Sequence, residues 1–348
     1  MLALTVVPRE ADSARVEEVA EPAAKDGAVL VETLAVGMCG TDIEIIEGRY
    51  GWAPPGCDRL TIGHESVGRV VEAPKNSGLS AGDLIAGIVR RPDPVPCPNC
   101  AVGEWDMCRN GLYVERGIKQ RNGYCSKWFR IEPEYSVKVA PDLQQVGVLV
   151  EPARVVAKAW EHIEKIARRA QWEPSRVLVT GAGPIGLLAA LMGVERGLDV
   201  HVLDRITEGP KPALVRDLGA TYHTGSVAEA CRGTDIVIEC TGAGWIVFDA
   251  MQHTTAGGIV CLTGISSGGR DLRIDAAALN RTIVLENDVV FGTVNANRRH
   301  YEAAAMSLAK ADRHWLSRLI SRRVALAHWA DAVQRRPADV KTVIDMTL

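Results

Sequence analysis

Three things are missing from this 348-residue chain, and each absence removes a class of function. No uncharged apolar run approaches the roughly 18 to 20 residues that a membrane-spanning helix needs. The N-terminus, MLALTVVPRE, has too short an apolar stretch for the hydrophobic part of a secretory signal, because Pro8, Arg9 and Glu10 end it. Charge of one sign is not in excess: 40 Lys and Arg face 43 Asp and Glu, for a net charge of −3. That balance points away from a nucleic-acid surface or a polybasic membrane patch. Internal repeats and low-complexity segments are absent too. A cytoplasmic protein is expected.

What is present suits a soluble globular chain, with 47% hydrophobic and 24% charged residues. The length allows two domains, each with its own core. Nine cysteines, an odd number without an export signal, argue against a disulfide framework. Clustered cysteines are then better read as metal ligands. Cys97, Cys100 and Cys108 sit close together, whereas the other six are scattered and suit small buried positions.

Residues 1 to about 150 carry short β-rich runs, such as Ala28–Thr33 and Val67–Glu72, separated by Gly and Pro clusters. A small, irregular, barrel-like β domain is expected. The character changes at Glu151-Pro152. Val155, Val156, Ala159, Trp160, Ile163 and Ile166 then recur at helical spacing, and Pro152 suits the first helical position. This helix is expected to run to about Ala170. Strands are expected at Arg176–Gly181, Val200–Asp204, Asp235–Cys240 and Gly258–Gly264, alternating with helices, which predicts a parallel sheet ending near residue 295. The last 50 or so residues hold a helix around Tyr301–Ala309 and a closing strand at Thr342–Asp345, and could return to the first domain.

Gly181-Ala-Gly183-Pro184-Ile185-Gly186 is a G-x-G-x-x-G turn. Alone the pattern is weak, but here it follows a strand, opens a helix and has Asp204 at the end of the next strand. Gly181 permits the tight turn, Gly183 lets backbone approach a pyrophosphate, and Gly186 lets the helix pack on the strand. Asp204 is placed to accept from the adenine-ribose hydroxyls, which favours NAD. The adjacent Arg205 could offset its charge and admit NADP.

Cysteine, histidine and carboxylate are all good zinc ligands, and a catalytic zinc keeps one position open. Gly37-Met-Cys39-Gly-Thr41-Asp42, Gly63-His64-Glu65 and Glu151-Pro152 supply them in order, ahead of the dinucleotide turn. No pair is diagnostic alone; the ordered set is. On these residues and Gly82-Asp83, the chain resembles the zinc-containing medium-chain dehydrogenases over nearly its whole length. Within them it is most similar to the glucose 1-dehydrogenases of archaea and some bacteria. That likeness is carried by Arg90–Pro92, Gly103–Cys108, Glu115–Ile118, Gly123–Trp128, Val294–Asn297 and Arg336–Asp345.

The resemblance implies an α/β chain: a GroES-like β-rich catalytic domain at 1–152 with a structural lobe at about 92–110, a Rossmann doubly wound parallel-sheet domain at 153–295, and a return to the catalytic domain at 296–348. It implies that Cys39, His64 and Glu151 hold a catalytic zinc, with Glu65 ligating directly or through water. Thr41 would hydrogen-bond the reacting hydroxyl, and Glu115, Glu151 and Asn295 would lie on the substrate side. Thr263, Gly264, Ile265, Asn295 and Asn297 would line the nicotinamide. The expected reaction is oxidation of an aldose, D-glucose first, at C1 to the lactone with hydride transfer to NAD(P), by a homotetramer or dimer. Val89 and Val155 stand where some relatives carry Asn and Asp.

The lobe of this family has four cysteines, and the first would fall on Pro94. Cys97, Cys100 and Cys108 remain, with Asp93 near enough in sequence to supply an oxygen, so either a Cys3Asp structural zinc or a metal-free lobe follows. Glu44 stands where the family's proton relay has another group and is expected to have no catalytic role. Two other functions stay open: a zinc dehydrogenase of polyols or secondary alcohols, of sorbitol or threonine type, and a zinc-free quinone reductase relative or NAD-binding regulator.

Overall fold

The structure, a computed structural model, describes every residue except 267, 269 and 270. The chain divides into two compact units, Met1–Arg154 with Asn295–Leu348, and Val155–Val294.

The first unit is built on the strand Val29–Met38, whose residues from Leu34 onward are all buried. It pairs with Glu65–Glu72 on one side and with the C-terminal strand Lys341–Asp345 on the other, both antiparallel. The registers set Gly37 opposite Glu65 and Met38 opposite Thr342. Three remote segments therefore end at one place, just before Cys39. Leu84–Gly87, Ser136–Val139, Ile320–Ala325 and Trp128–Ile131 complete this seven-stranded sheet. Val31, Val36, Ile62, Val70, Ile85, Phe129 and Ile344 belong to one apolar core. A smaller sheet joins Arg90–Arg91, Val114–Arg116 and Gln120–Arg121, and sets Arg90 opposite Glu115.

The second unit carries six parallel strands in the order Thr221–His223, Asp199–Leu203, Arg176–Thr180, Thr234–Glu239, Thr254–Leu262 and Val289–Gly292. Numbered along the chain, that order is 3-2-1-4-5-6, the doubly wound arrangement with its switch beside the first strand. The helix Pro184–Glu195 after that strand is apolar on nearly every side and largely buried, as a central helix of such a sheet should be.

Where expectation and structure differ, the differences lie at element ends. The long helix runs Val150–Ala167 and stops short of Ala170, because Arg168, Arg169 and Ala170 are exposed and have no apolar face to bury. The later helix is longer than read, Arg298–Lys310. Among the described residues no helix is long and apolar enough to cross a membrane.

Candidate metal and dinucleotide sites

The strand Val29–Met38 ends one residue before Cys39, which is the N-cap of the helix Gly40–Ile46. The cap fixes the sulfur from both sides. Asp42 Oδ2 accepts from the Cys39 N–H at 3.0 Å, and Cys39 Sγ accepts from the Thr41 N–H at 3.3 Å. His64 Nε2 lies 3.2 Å from Cys39 Sγ. Its Nδ1 lies 3.3 Å from Oδ1 of the fully buried Asp42, without hydrogen-bond alignment. A carboxylate behind the imidazole orients a metal-binding histidine and selects its tautomer. Burial opposes protonation of His64, but Asp42 and Cys39 outweigh it and hold its pKa well above the ordinary value. A metal taken up here therefore displaces a proton.

Glu65 faces Lys341, whose Nζ is 2.7 Å from both carboxylate oxygens and 3.1 Å from the Met38 carbonyl. Both side chains are buried. Burial, with Glu151 near, raises the Glu65 pKa against the pull of Lys341. Gly37 is required for this placement, since a Cβ there would overlap Glu65 Oε2.

The sulfur of Cys39, a ring nitrogen of His64 and an oxygen of Glu65 all lie within 4.8 Å of one another. A half-buried thiol with a buried imidazole and carboxylate at such range is a donor set suited to zinc. Glu151 is outside this three-donor group. Its Oε1 is engaged by Arg154, through Nε at 3.0 Å and through Nη2. From there a buried chain continues: Arg154 Nη1 to Asn295 Oδ1 at 3.4 Å, Asn295 Nδ2 to Glu115 Oε1 at 2.5 Å, and Arg90 Nε to the same Glu115 oxygen at 3.1 Å. Asn295 holds φ +63, a conformation that asparagine tolerates better than most residues. Thus the structure brings Glu115, Asn295 and Glu151 into one network, while the Thr41 hydroxyl has no hydrogen bond among the described residues. Glu44 pairs with Arg49 at 3.7 Å.

Two expected placements come out differently. Asn297 is buried, and its Nδ2 donates to Glu104 Oε2 at 3.1 Å and Asp106 Oδ1 at 2.9 Å, so it ties the lobe to the helix it precedes. In the lobe, the sulfurs of Cys97, Cys100 and Cys108 lie within 4.8 Å of one another, but the Asp93 carboxylate is not part of that group. Asp93 Oδ1 accepts from the Val95 N–H at 2.8 Å, the Asx turn that an aspartate before proline favours. Its Oδ2 is buried and unpartnered.

In the second unit the glycine turn follows Arg176–Thr180. Gly183 caps the helix that Pro184 and Ile185 begin, and nothing lies within 4 Å of where its Cβ would be. A Cβ on Gly186, by contrast, would overlap the Gly181 carbonyl. Asp204 braces this turn. Its Oδ2 accepts from the Ala182 N–H at 2.6 Å and its Oδ1 from the Ile206 N–H at 2.9 Å, with Lys211 Nζ at 4.0 Å. Arg205 is exposed. Thr263 and Gly264 both donate their N–H to the Glu239 carbonyl, at 2.8 and 3.0 Å, at the C-terminal edge of the sheet where dinucleotides bind; Ile265 is 78% exposed beside them.

Asp42, Arg154, Lys341 and Glu239 are not among the expected site residues. The first two had signals: an acid at the third helical position after Cys39, and an arginine three residues after Glu151. Buried Glu239 accepts from the Thr180 hydroxyl at 3.2 Å and the Thr241 N–H at 2.6 Å, and so gathers the loops of this edge. Neither it nor Lys341 had a local signal.

Comparison with known proteins agrees with this geometry. Residues 25–142 match the alcohol dehydrogenase GroES-like domain, and residues 144–346 match the glucose dehydrogenase C-terminus. The chain is 39% identical to a glucose 1-dehydrogenase of Methanocella arvoryzae and 37% identical to that of Thermoproteus tenax, each match covering 99% of both chains. Haloferax mediterranei glucose dehydrogenase, solved in complex with NADP, Zn and gluconolactone, superposes with a TM-score of 0.91 at 31% identity over 100% of both chains. The fold and site define a zinc-containing medium-chain dehydrogenase. Within that class, the chain belongs to the glucose dehydrogenase family.

Proposed function

We propose that this chain oxidises an aldose, D-glucose first, at C1 to the lactone and passes the hydride to NAD or NADP. The observation that carries this is the Cys39–His64–Glu65 donor group, in one unit with the network of Glu151, Asn295 and Glu115. Zinc held there would supply a Lewis acid that favours loss of the C1 hydroxyl proton. Cys39, His64 and Glu151 would ligate it, with Glu65, which stands in the donor group, ligating directly or through water. Asp42 holds His64 in orientation, and Arg154 and Lys341 hold the two glutamates. The unengaged Thr41 hydroxyl takes the hydrogen bond from the reacting oxygen, and Glu115 and Asn295 receive the sugar hydroxyls. The protein contributes position and charge, and the cofactor the redox step.

In this reading the unit of residues 1–154 and 295–348 is the catalytic domain and that of residues 155–294 the dinucleotide domain, a shift of one or two residues from the expected bounds that keeps Arg154 and Asn295 with Glu151. Gly181, Gly183, Pro184, Ile185 and Gly186 carry the pyrophosphate, and Thr263, Gly264, Ile265 and Asn295 the nicotinamide. Asp204 favours NAD, while Arg205 and Lys211 offer cations to a 2′-phosphate. The protein is placed in the cytoplasm. Cofactor reduction with a panel of aldoses and polyols tests the whole. Glucose should be turned over with NAD and NADP, and Arg205→Ala should raise KM for NADP about tenfold while that for NAD stays within about twofold. Turnover of sorbitol and not of aldoses would replace the substrate assignment. Equal effects on both cofactors would remove the role of Arg205.

Homo-oligomer formation is assigned to the edge of the parallel sheet. The strand Val289–Gly292 is last in the sheet, and the preceding helix Ala276–Glu286 buries no residue, with Val284 and Leu285 63% and 64% exposed. A second copy is the occupant, pairing strand to strand. Light scattering should give a dimer or tetramer mass, reduced by Val284→Asp; a monomer mass for the wild type would discard the assignment.

A further inference from the structure

The first unit contains a cavity of about 570 Å3 that shares no residue with the donor group or its network. Such a volume falls within the roughly 300 to 1,000 Å3 of small-molecule sites. Lys25, Arg59, Arg116, Arg121 and Arg130 line it, against the carboxylates of Glu17, Glu21 and Asp26. Most of these charges are already engaged. Arg59 pairs with Glu17 at 2.7 Å, Arg121 with Glu132 at 2.5 Å, and Arg130 with Glu72 at 3.2 Å. Asp26 Oδ2 accepts from the Ala23 N–H at 2.9 Å.

Lys25 is exposed, and among the cations that are not, Arg116 is the exception. It is 4% exposed and has no carboxylate partner among the described residues. Its Nη2 donates to the Arg130 carbonyl and its Nη1 to the Asn122 carbonyl at 3.4 Å, both neutral, and its Nε is buried without a partner. Arg130 Nε, on the same wall, is also buried and unpartnered. The Tyr124 ring, 5.2 Å away, offers only a weak cation–π contact. Burial, with Arg91 and Arg121 near, pulls the Arg116 pKa down to about 10 against the opposing charge of Glu132, a carboxylate already shared by Arg91 and Arg121, and still leaves it charged at neutral pH. A buried guanidinium without a counter-ion is costly, and guanidinium forks match phosphate and carboxylate oxygens.

We propose that this cavity is a binding site for a small multivalent oxyanion, a phosphorylated or dicarboxylate metabolite, held by Arg116 with Arg130. The site is independent of the reaction assigned above, and its test does not use turnover. Titration calorimetry of the zinc-loaded protein, with NAD present to fill the dinucleotide site, would use inorganic phosphate and succinate as probes and chloride at matched ionic strength as control. Saturable binding near one per chain is expected for at least one probe, and which of the two binds distinguishes the phosphate from the carboxylate class. Arg116→Met should weaken it about tenfold or more, as expected for lost hydrogen bonds to a charged group. Arg130→Met, at a less buried position, should weaken it too and serves if Arg116→Met does not fold. No saturable heat above the chloride control, or binding unchanged in the folded variants, would overturn the proposal.

Discussion

Cys39→Ala should remove one of about two zinc ions per chain and lower kcat/KM by about 10^3-fold or more, the equivalent of about 4 kcal/mol of lost charge stabilisation. The sulfur it deletes is 3.2 Å from His64 Nε2 and is the softest donor of the three within 4.8 Å. Cys100→Ala should remove the other zinc while the Cys39 centre stays loaded. The Cys97–Cys100–Cys108 cluster supplies three thiolates, and the unpartnered Asp93 Oδ2 is the oxygen available to a fourth position once its Asx turn opens. Metal analysis of both variants reads these effects separately. Activity that survives Cys39→Ala in the presence of chelator would instead make this a zinc-free reductase. One zinc per wild-type chain, lost with Cys39 and not with Cys100, would leave the lobe metal-free.

Lys341→Met should destabilise the fold by about 3 to 5 kcal/mol, because it strands the Glu65 carboxylate in the interior without its cation. The pair is enclosed on both sides: Lys341 is 3% exposed and Glu65 2%. Replacing both residues, Lys341→Met with Glu65→Gln, should recover much of the loss, since the uncompensated charge goes with its partner. Denaturant unfolding in chelator, for the wild type, both single variants and the double variant, closes the cycle. A single variant as stable as the wild type, or a double variant as unstable as the sum of its parts, would mean that the ion pair does not hold this site together.

Both predictions concern the same few ångströms, and they differ in how visible they were. Cys39 and His64 stood out because each sits in a short pattern whose neighbours have local jobs: Asp42 caps the helix from Cys39, and Gly37 clears room for Glu65. Lys341 gave no such signal. It reaches Glu65 only because the last strand pairs with Val29–Met38 in one register, and a slip by one residue would turn it to the other face. Glu151 shows the converse. Its place before Pro152 was plain, yet its engagement by Arg154 and the link onward to Asn295 and Glu115 come from folding. Asn297 is expected at the nicotinamide from its neighbours in sequence, and folding brings its Nδ2 to Glu104 and Asp106, far along the chain.

By itself the sequence determined what depends on local chemistry: the alternation of strand and helix, the glycine turn whose Gly186 admits no Cβ, the switch at Glu151 from a β-rich to an α/β pattern, and a donor list of Cys, His and Glu. Tertiary structure alone decided which donors stand together, which carboxylates are held by Lys341 and Arg154, and that Arg116 is enclosed with its Nε unpartnered. The division has one physical cause. Backbone preferences and caps are set within a few residues, whereas the energy of a buried charge is set by whatever the fold brings beside it, from any distance along the chain.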